Sequence, residues 1–371
     1  MHTTKRLHSF KLNISFFSEE KERWFRGTIL DGEKGIFTSD LLLSITMKKN
    51  GRKVISVLLC VCMVMALSAC GKKEASSKGE QTSFKIGFCT WAGYAPLYIA
   101  QDQGYFEQLG IQPELVIMED ESQYAASFVS NGIQALGNVL DRDIIHYATG
   151  APEQYLCTMD MSTGGDGIIA SADIQTMDDL KGKKIALDKS ATSYFFFLTA
   201  LADSNITEDD IEIVEMGNSE AGTAFITGKV DAAVTWEPWL SNADEREGGH
   251  ILVSSADYPK AIIDCLTVHS DFAKENPNTI AALEEAWYMS IDFLKENPDQ
   301  AYEIMAKGLS LEAEEVKDEC AGITFLGREE NKTFNDQSTE DNVYDVADKA
   351  AGFWFEKKLI PSEDVSGFFP E

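Results

Sequence analysis

From residue 84 onward, short apolar runs alternate with longer stretches whose apolar positions recur every three or four residues. These two periods separate strands from amphipathic helices. Phe84-Lys-Ile-Gly-Phe-Cys89 alternates as a strand, and 97–108 reads as a helix stopped at Gly110, the residue best suited to a helix C-terminus. Strand 114–118, helix 122–131, strand 134–139, helix 141–149 and strand 154–159 complete a first half. The second half has strands at 167–170, 184–187, 211–216, 232–235, 251–254 and 262–268, with helices at 176–181, 193–203 and 219–228. From Phe272 the chain is helical, punctuated by Asn276-Pro277, Asn297-Pro298 and Lys307-Gly308. Strand–helix alternation predicts parallel strands joined by right-handed crossovers. The fold class is therefore α/β: two open halves and a helical C-terminal region. Ligand space is expected where strand C-termini and helix N-termini face one crevice.

A different pattern precedes this one. Lys48, Lys49, Arg52 and Lys53 lead into the apolar run 54–66, followed by Leu67-Ser-Ala-Cys70-Gly71. A basic start, a short apolar core and small residues at its end are the parts of an export signal. The run falls short of the roughly 20 residues that span a bilayer. Residues 47–70 thus read as a signal peptide. Leu-Ser-Ala-Cys-Gly resembles the lipobox of bacterial lipoproteins, which implies a lipid on Cys70 and an extracytoplasmic protein anchored to the cell membrane. Residues 1–46 precede a complete signal with its own Met47, and are expected to be an upstream extension of the reading frame. Residues 71–82 are small and polar, the composition of a flexible tether.

Charge changes the picture once the leader is set aside. The chain has 32 Lys and Arg against 61 Asp and Glu, a net charge of −29; without residues 1–70 the balance is 21 against 55. So acidic a surface argues against nucleic-acid partners. Cys89, Cys157, Cys265 and Cys320 form no paired motif, and His146, His250 and His269 are scattered. No metal site, cofactor site or catalytic constellation is legible, and no enzyme is expected.

Several loops carry a family likeness. Trp91-Ala-Gly-Tyr-Ala-Pro-Leu-Tyr98, Gly104-Tyr-Phe106, Asp160-Met-Ser-Thr-Gly-Gly-Asp166, Asp179-Leu-Lys-Gly-Lys-Lys184 and Gly228-Lys-Val-Asp-Ala-Ala-Val-Thr-Trp-Glu-Pro238 occur in that order. Together they resemble the periplasmic-type solute-binding proteins of the nitrate, sulfonate and taurine transporter group. The resemblance implies a two-lobed, periplasmic-binding-protein-like (type II) fold that works as a monomeric clamp and delivers a small solute to a membrane ABC permease. It implies lobe 1 at 83–162, lobe 2 at 163–262, and a return to lobe 1 with C-terminal helices at 263–371.

The residues themselves place candidate ligand contacts in the same loops. Ser190, Thr192 and Ser193 stand before the aromatic helix that begins near Tyr194; they form either an anion seat of hydroxyls and free N–H groups or ordinary N-caps. Ser162 to Asp166 falls at the first crossover, where glycines permit a hinge or a plain turn. Asp166 either caps or holds a ligand amine, and Asp141 either caps its helix or faces the ligand. Trp236 and Glu237 follow a buried strand, with Pro238 expected at a helix's first position. Trp91 and Tyr94 approach from the opposite lobe. Aromatic walls beside a carboxylate suit cationic or heterocyclic solutes, and only Arg142 and Lys189 lie nearby as cations. The expected solute is an organic molecule with a protonated nitrogen or polar ring that can also carry a sulfonate or carboxylate: a taurine-like or aliphatic-sulfonate-like compound, another amine-bearing or heterocyclic molecule, or a pyrimidine precursor. The alternatives are uptake of nitrate or bicarbonate, a sensory module, and an enzyme on the same fold, a dehydratase or a pyrimidine synthase.

Overall fold

The computed structural model describes residues 82–370. The residues read as an upstream extension, a signal peptide with Cys70 and a tether lie outside the described residues, except Thr82, the last expected tether residue, which begins the first strand.

The chain lays down β1 (Thr82–Phe88), β2 (Ile111–Ile117), β3 (Ala135–Val139) and β4 (Glu153–Ser162) in a first sheet. It then builds a second from β5 (Asp166–Ala170), β6 (Lys184–Leu187), β7 (Glu212–Glu215), β8 (Ala232–Trp236) and β9 (His250–Ser254), and returns to the first with β10 (Ile263–His269) and β11 (Ile323–Phe325). The strand orders are β11-β4-β10-β3-β1-β2 and β7-β6-β8-β5-β9. Each sheet is one lobe of an α/β fold.

The expected parallel pairing holds for β1 with β2 and β3, and for β6 with β7 and β8. It fails elsewhere: β10 is antiparallel to both β3 and β4, and β5 to both β8 and β9. The reason is the crossing itself. β4 runs out of the first sheet into β5, and β9 feeds back into β10, so the two connections pass in opposite directions between the lobes. Pro113, which cannot donate to a ladder, is tolerated in β2 because β2 is an edge strand.

The helix expected at 97–108 is two: α1 (Pro96–Asp102) and α2 (Tyr105–Gln108), separated by Gly104 at φ 71°, a left-handed conformation that breaks a helix. α3 (Tyr124–Val129), α4 (Leu140–Ala148), α5 (Thr192–Ala202) and α6 (Asn218–Ile226) connect strands as expected. The segment 176–181 is only a 3-10 turn, Met177–Leu180, closed by a capping box between Thr176 and Asp179. In the tail follow α7 (Ser270–Glu275), α8 (Pro277–Glu296), α9 (Pro298–Leu309), α10 (Ala313–Cys320), α11 (Arg328–Phe334) and α12 (Val343–Glu356). Pro277 and Pro298 open α8 and α9, where a missing N–H costs nothing.

α8 and α9 bury Trp287, Ile291 and Met305 against the first sheet and α1. α12 behaves differently. It packs on α4 of the first lobe, and Phe353 and Trp354 lie 5.1 Å and 5.8 Å from the Phe195 ring of α5 in the second. The C-terminal helix thus spans both lobes, behind the two crossovers.

Candidate functional site

The site begins at the crossovers. Ser162, at the end of β4, shares a 2.7 Å hydrogen bond with Ser255, and the Gly164 N–H donates to the Ser255 hydroxyl at 2.8 Å. The two connections are therefore stitched together. A Cβ on Gly165 would lie 2.6 Å from the Trp91 ring, so only glycine lets that indole lie against the connection.

In front of the crossovers are two adjoining cavities. The inner one, of about 30 Å³, touches Trp91, Tyr94, Asn138, Asp166, Thr192 and Asp264. The outer one, of about 690 Å³, falls in the range of small-molecule sites. Cys89, Trp91 and Trp236 line both. Asp120, Asp188, Glu119, Glu220, Glu237 and Glu319 face the outer cavity, and neither lining includes a Lys, Arg or His among the described residues.

Two buried carboxyls, Asp166 and Asp264, line the inner cavity, and a third, Asp160, lies behind Trp91 beside Asp264. Asp160 on β4 and Asp264 on β10 are direct cross-strand partners, so both side chains leave the same face of the sheet. Asp166 opens β5 across the lobe boundary. The Trp91 Nε1–H donates to Asp160 Oδ1 at 3.4 Å, and the Tyr94 hydroxyl makes a short hydrogen bond to Asp264 Oδ1. Asp160 Oδ2 is buried with no partner. Burial pushes the Asp160 carboxyl up to about 7, against hydrogen bonds from Trp91 and Asp264. It does the same to Asp166, also about 7, helped by the charge of Glu237. Asp264 lies well above the carboxylate range, by burial first and Asp160 second. Glu319 at the outer cavity rises to about 7, through burial and then Glu237. Like charges taken out of water beside one another disfavour ionisation. Without a cation the cluster ionises far less readily than exposed carboxylates do.

Of the residues expected at the ligand, Trp91, Tyr94, Asp166, Thr192, Ser190, Trp236 and Glu237 line one cavity or the other. Ser162 stands behind Asp166 at the crossover and lowers its pKa by a hydrogen bond. Three residues are placed elsewhere. Asp141 is the second residue of α4, not its cap; Val139 holds the N-cap position without a side-chain bond. Its Oδ1 accepts from the Thr192 hydroxyl at 2.9 Å, and burial, opposed by Arg142, lifts it to about 6. Ser193 donates to the Asp188 carbonyl at 3.1 Å. Tyr194 turns away to donate to Glu208 at 2.9 Å, with Lys189 over its ring.

The anion seat at the start of α5 is thus already occupied. Thr192 serves Asp141, and the Ser190 hydroxyl and N–H both serve Asp188. Pro238 also departs from expectation. It follows a cis peptide in a turn before the 3-10 helix Ser241–Glu245, and no helix starts at it. Glu237 accepts from the Ser241 N–H at 2.9 Å and its hydroxyl at 2.8 Å, so it holds this turn as well as facing the cleft.

Sequence reasoning missed Asp160, Asp264 and Asn138 as site residues. A signal existed for the first two: each is an acid between two apolar neighbours in a strand, Met159 and Met161 or Ile263 and Cys265, where burial is costly without a purpose.

These features can be set beside known proteins. The family profile described as "NMT1/THI5 like" matches residues 91–301. A putative binding protein of Brucella abortus is 28% identical over 207 residues, 54% of this chain and 64% of that protein. The alignment therefore leaves a third of that relative unmatched. A putative aliphatic sulfonates-binding protein of Bacillus subtilis is 24% identical over 82% of this chain and 90% of its own. The periplasmic aliphatic sulphonate-binding protein of Escherichia coli superposes with a TM-score of 0.63 at 20% identity, over 76% of this chain and 89% of that one. The profile spans more than half of the sequence, and the chain belongs to the NMT1/THI5-like family, with the two-lobed periplasmic-binding-protein fold.

Proposed function

We propose that this protein is the extracytoplasmic solute-binding component of an ABC importer, and that it captures a small organic cation, a protonated amine or nitrogen heterocycle. The observation that carries the reading is an acid triad in which Asp166 and Asp264, one from each lobe, line the inner cavity and Asp160 backs Asp264, with Trp91 and Tyr94 on one lobe and Trp236 on the other. A cation placed there offsets the charge of the lining carboxyls and favours their ionised form. Indole faces add cation–π attraction. Because Asp160 and Asp264 belong to one lobe and Asp166 to the other, the ligand draws the lobes together and shifts the open–closed balance toward the form a permease would engage. Relatives named as binding proteins support capture rather than catalysis.

Some relatives are named for aliphatic sulfonates or taurine. A bare sulfonate, nitrate or bicarbonate meets no cationic side chain in the lining, so we place the amine at the triad. One observation favours a zwitterion as a second reading. α6 starts at the outer cavity without a side-chain cap, after Gly217, and its free N–H groups would suit an anionic tail.

The test is a thermal-shift and calorimetric screen of the purified protein with primary amines, aminopyrimidines, taurine, alkanesulfonates and nitrate. Amine-bearing compounds are expected to stabilise it, and alkanesulfonates and nitrate to leave it unchanged. Stabilisation by alkanesulfonates alone overturns the reading.

A further inference from the structure

We propose a divalent-metal site beneath the ligand chamber, formed by Asp143, His146 and Glu153. Sequence reading saw no metal site because its histidines looked scattered; the spacing that matters is Asp-x2-His on a helix followed by a Glu seven residues later. Asp143 and His146 are three residues apart on α4 and share a face. Glu153 is the first residue of β4, brought back against that face by the 149–152 turn.

One ligating atom from each of the three lies within 4.8 Å of the others. Asp143 and Glu153 are 0% and 1% exposed. His146 Nδ1 and Glu153 Oε2 are 3.2 Å apart. A cation about 2.1 Å from both would see them roughly 100° apart, between tetrahedral and octahedral values. Their remaining atoms are already oriented as a supporting shell. Thr267 donates to Glu153 Oε1 at 2.7 Å, and Asn138 Nδ2 to Asp143 Oδ1 at 2.6 Å.

The independent sign of a missing cation is Asp143 Oδ2, fully buried and met by no N–H or hydroxyl donor, with a second acid, Glu153, beside its carboxyl. Among the described residues, the only basic side chain paired with either carboxyl is His146 itself. A divalent ion satisfies the free oxygen and cancels both carboxylate charges. One imidazole and two carboxylates suit Zn(II), Co(II) or Mn(II). The His146 side chain is 10% exposed, so the site lies one side chain below the surface and an ion can enter there. Occupancy would pin α4 to β4, and Asn138 ties that clamp to the inner cavity it lines.

The purified full chain, stripped with a chelator, is titrated with Zn(II) and Co(II) by calorimetry and visible absorption. One ion per chain is expected, with a Co(II) ligand-field band and a raised melting temperature. Asp143→Asn keeps the shape and the Asn138 contact; it is expected to weaken binding by about tenfold or more, as is His146→Gln at the more accessible edge. Asp264→Asn in the cleft should leave it unchanged. No stoichiometric binding to the wild type overturns the site, and the triad is then a proton-sharing core network. Binding that survives both Asp143→Asn and His146→Gln, or is lost in Asp264→Asn, overturns it equally.

Discussion

The carboxylates of the cleft and those of the outer surface are the same chemical groups in opposite states. Asp173 is exposed and Asp210 half-buried at the surface; they are bonded to Lys183 and to the Thr207 backbone respectively, and sit at about 2. Asp160 and Asp166 are buried without a cation and sit at about 7. A lowered pKa marks a group whose ionised form the fold has already satisfied; a raised one marks a group the fold leaves unsatisfied. The first kind serves caps and turns. The second is held ready for something that arrives from outside. The difference teaches that net charge, so marked in this chain, says little about the site until each acid is assigned to one kind or the other.

The comparison breaks most sharply at Asp264 and Asp160. Asp264→Asn removes a charge the bound cation needs, and Asp160→Asn the acid paired behind it, while the empty site, where burial disfavours ionisation, loses little. Amine affinity should fall by about 2–5 kcal/mol, or roughly 30-fold to several thousand-fold, with melting temperature near wild type. Calorimetry on the folded variants decides it; unchanged affinity in both removes the triad from recognition.

A pH series sharpens the same contrast. Asp160 and Asp166 carry folded-state values of about 7, against about 4 unfolded. The folded chain then binds the extra protons between these limits. Their contribution to stability is fully present below pH 4 and is lost as pH rises through 7. For Asp173 and Asp210 the sign reverses: their contribution stands above about pH 4 and is lost as pH falls toward about 2. Ligand-free protein should melt lower at pH 8 than at pH 5, while affinity for a permanently charged amine rises up to about tenfold per pH unit for each acid that must ionise. A flat affinity profile from pH 5 to 8 contradicts the assignment.

Smaller effects lie at the rim. Trp236→Ala should cost about 1–2 kcal/mol of binding from the lost aromatic face, read as a raised Kd at unchanged melting temperature. Glu237→Ala acts partly through Ser241, so it should lower stability as well as affinity; a loss of affinity equal to that of Asp264→Asn would move the recognition centre outward. At the far end, Asp173→Asn should leave affinity unaltered and shift the melting midpoint by only about a degree or two. Any loss of ligand binding there would show that the two classes of acid are not distinct.

The legible part of this molecule is local. Strand and helix identities follow from periodicity, and Trp91, Tyr94, Asp166 and Trp236 were legible as cleft residues because they sit at the end of a strand or in the loop that follows one. Helix breaks such as Gly104 were under-read, since one left-handed residue leaves the apolar period intact. Pairing direction was misjudged because the pattern of a strand does not reveal that its continuation lies in another sheet. Asp141, Ser193 and Tyr194 carried the right residue types for a site, but which partner each side chain meets depends on how α4 and α5 lie together.

The sequence by itself determined the elements, the α/β class, the acidity and the family likeness, because these depend on spacing and composition within short windows. Only the tertiary structure decided which acids matter. Asp160 and Asp264 are about a hundred residues apart and become partners through one antiparallel ladder. Their unusual state arises from the loss of water around both at once, a property of the assembled cleft that no stretch of chain possesses alone.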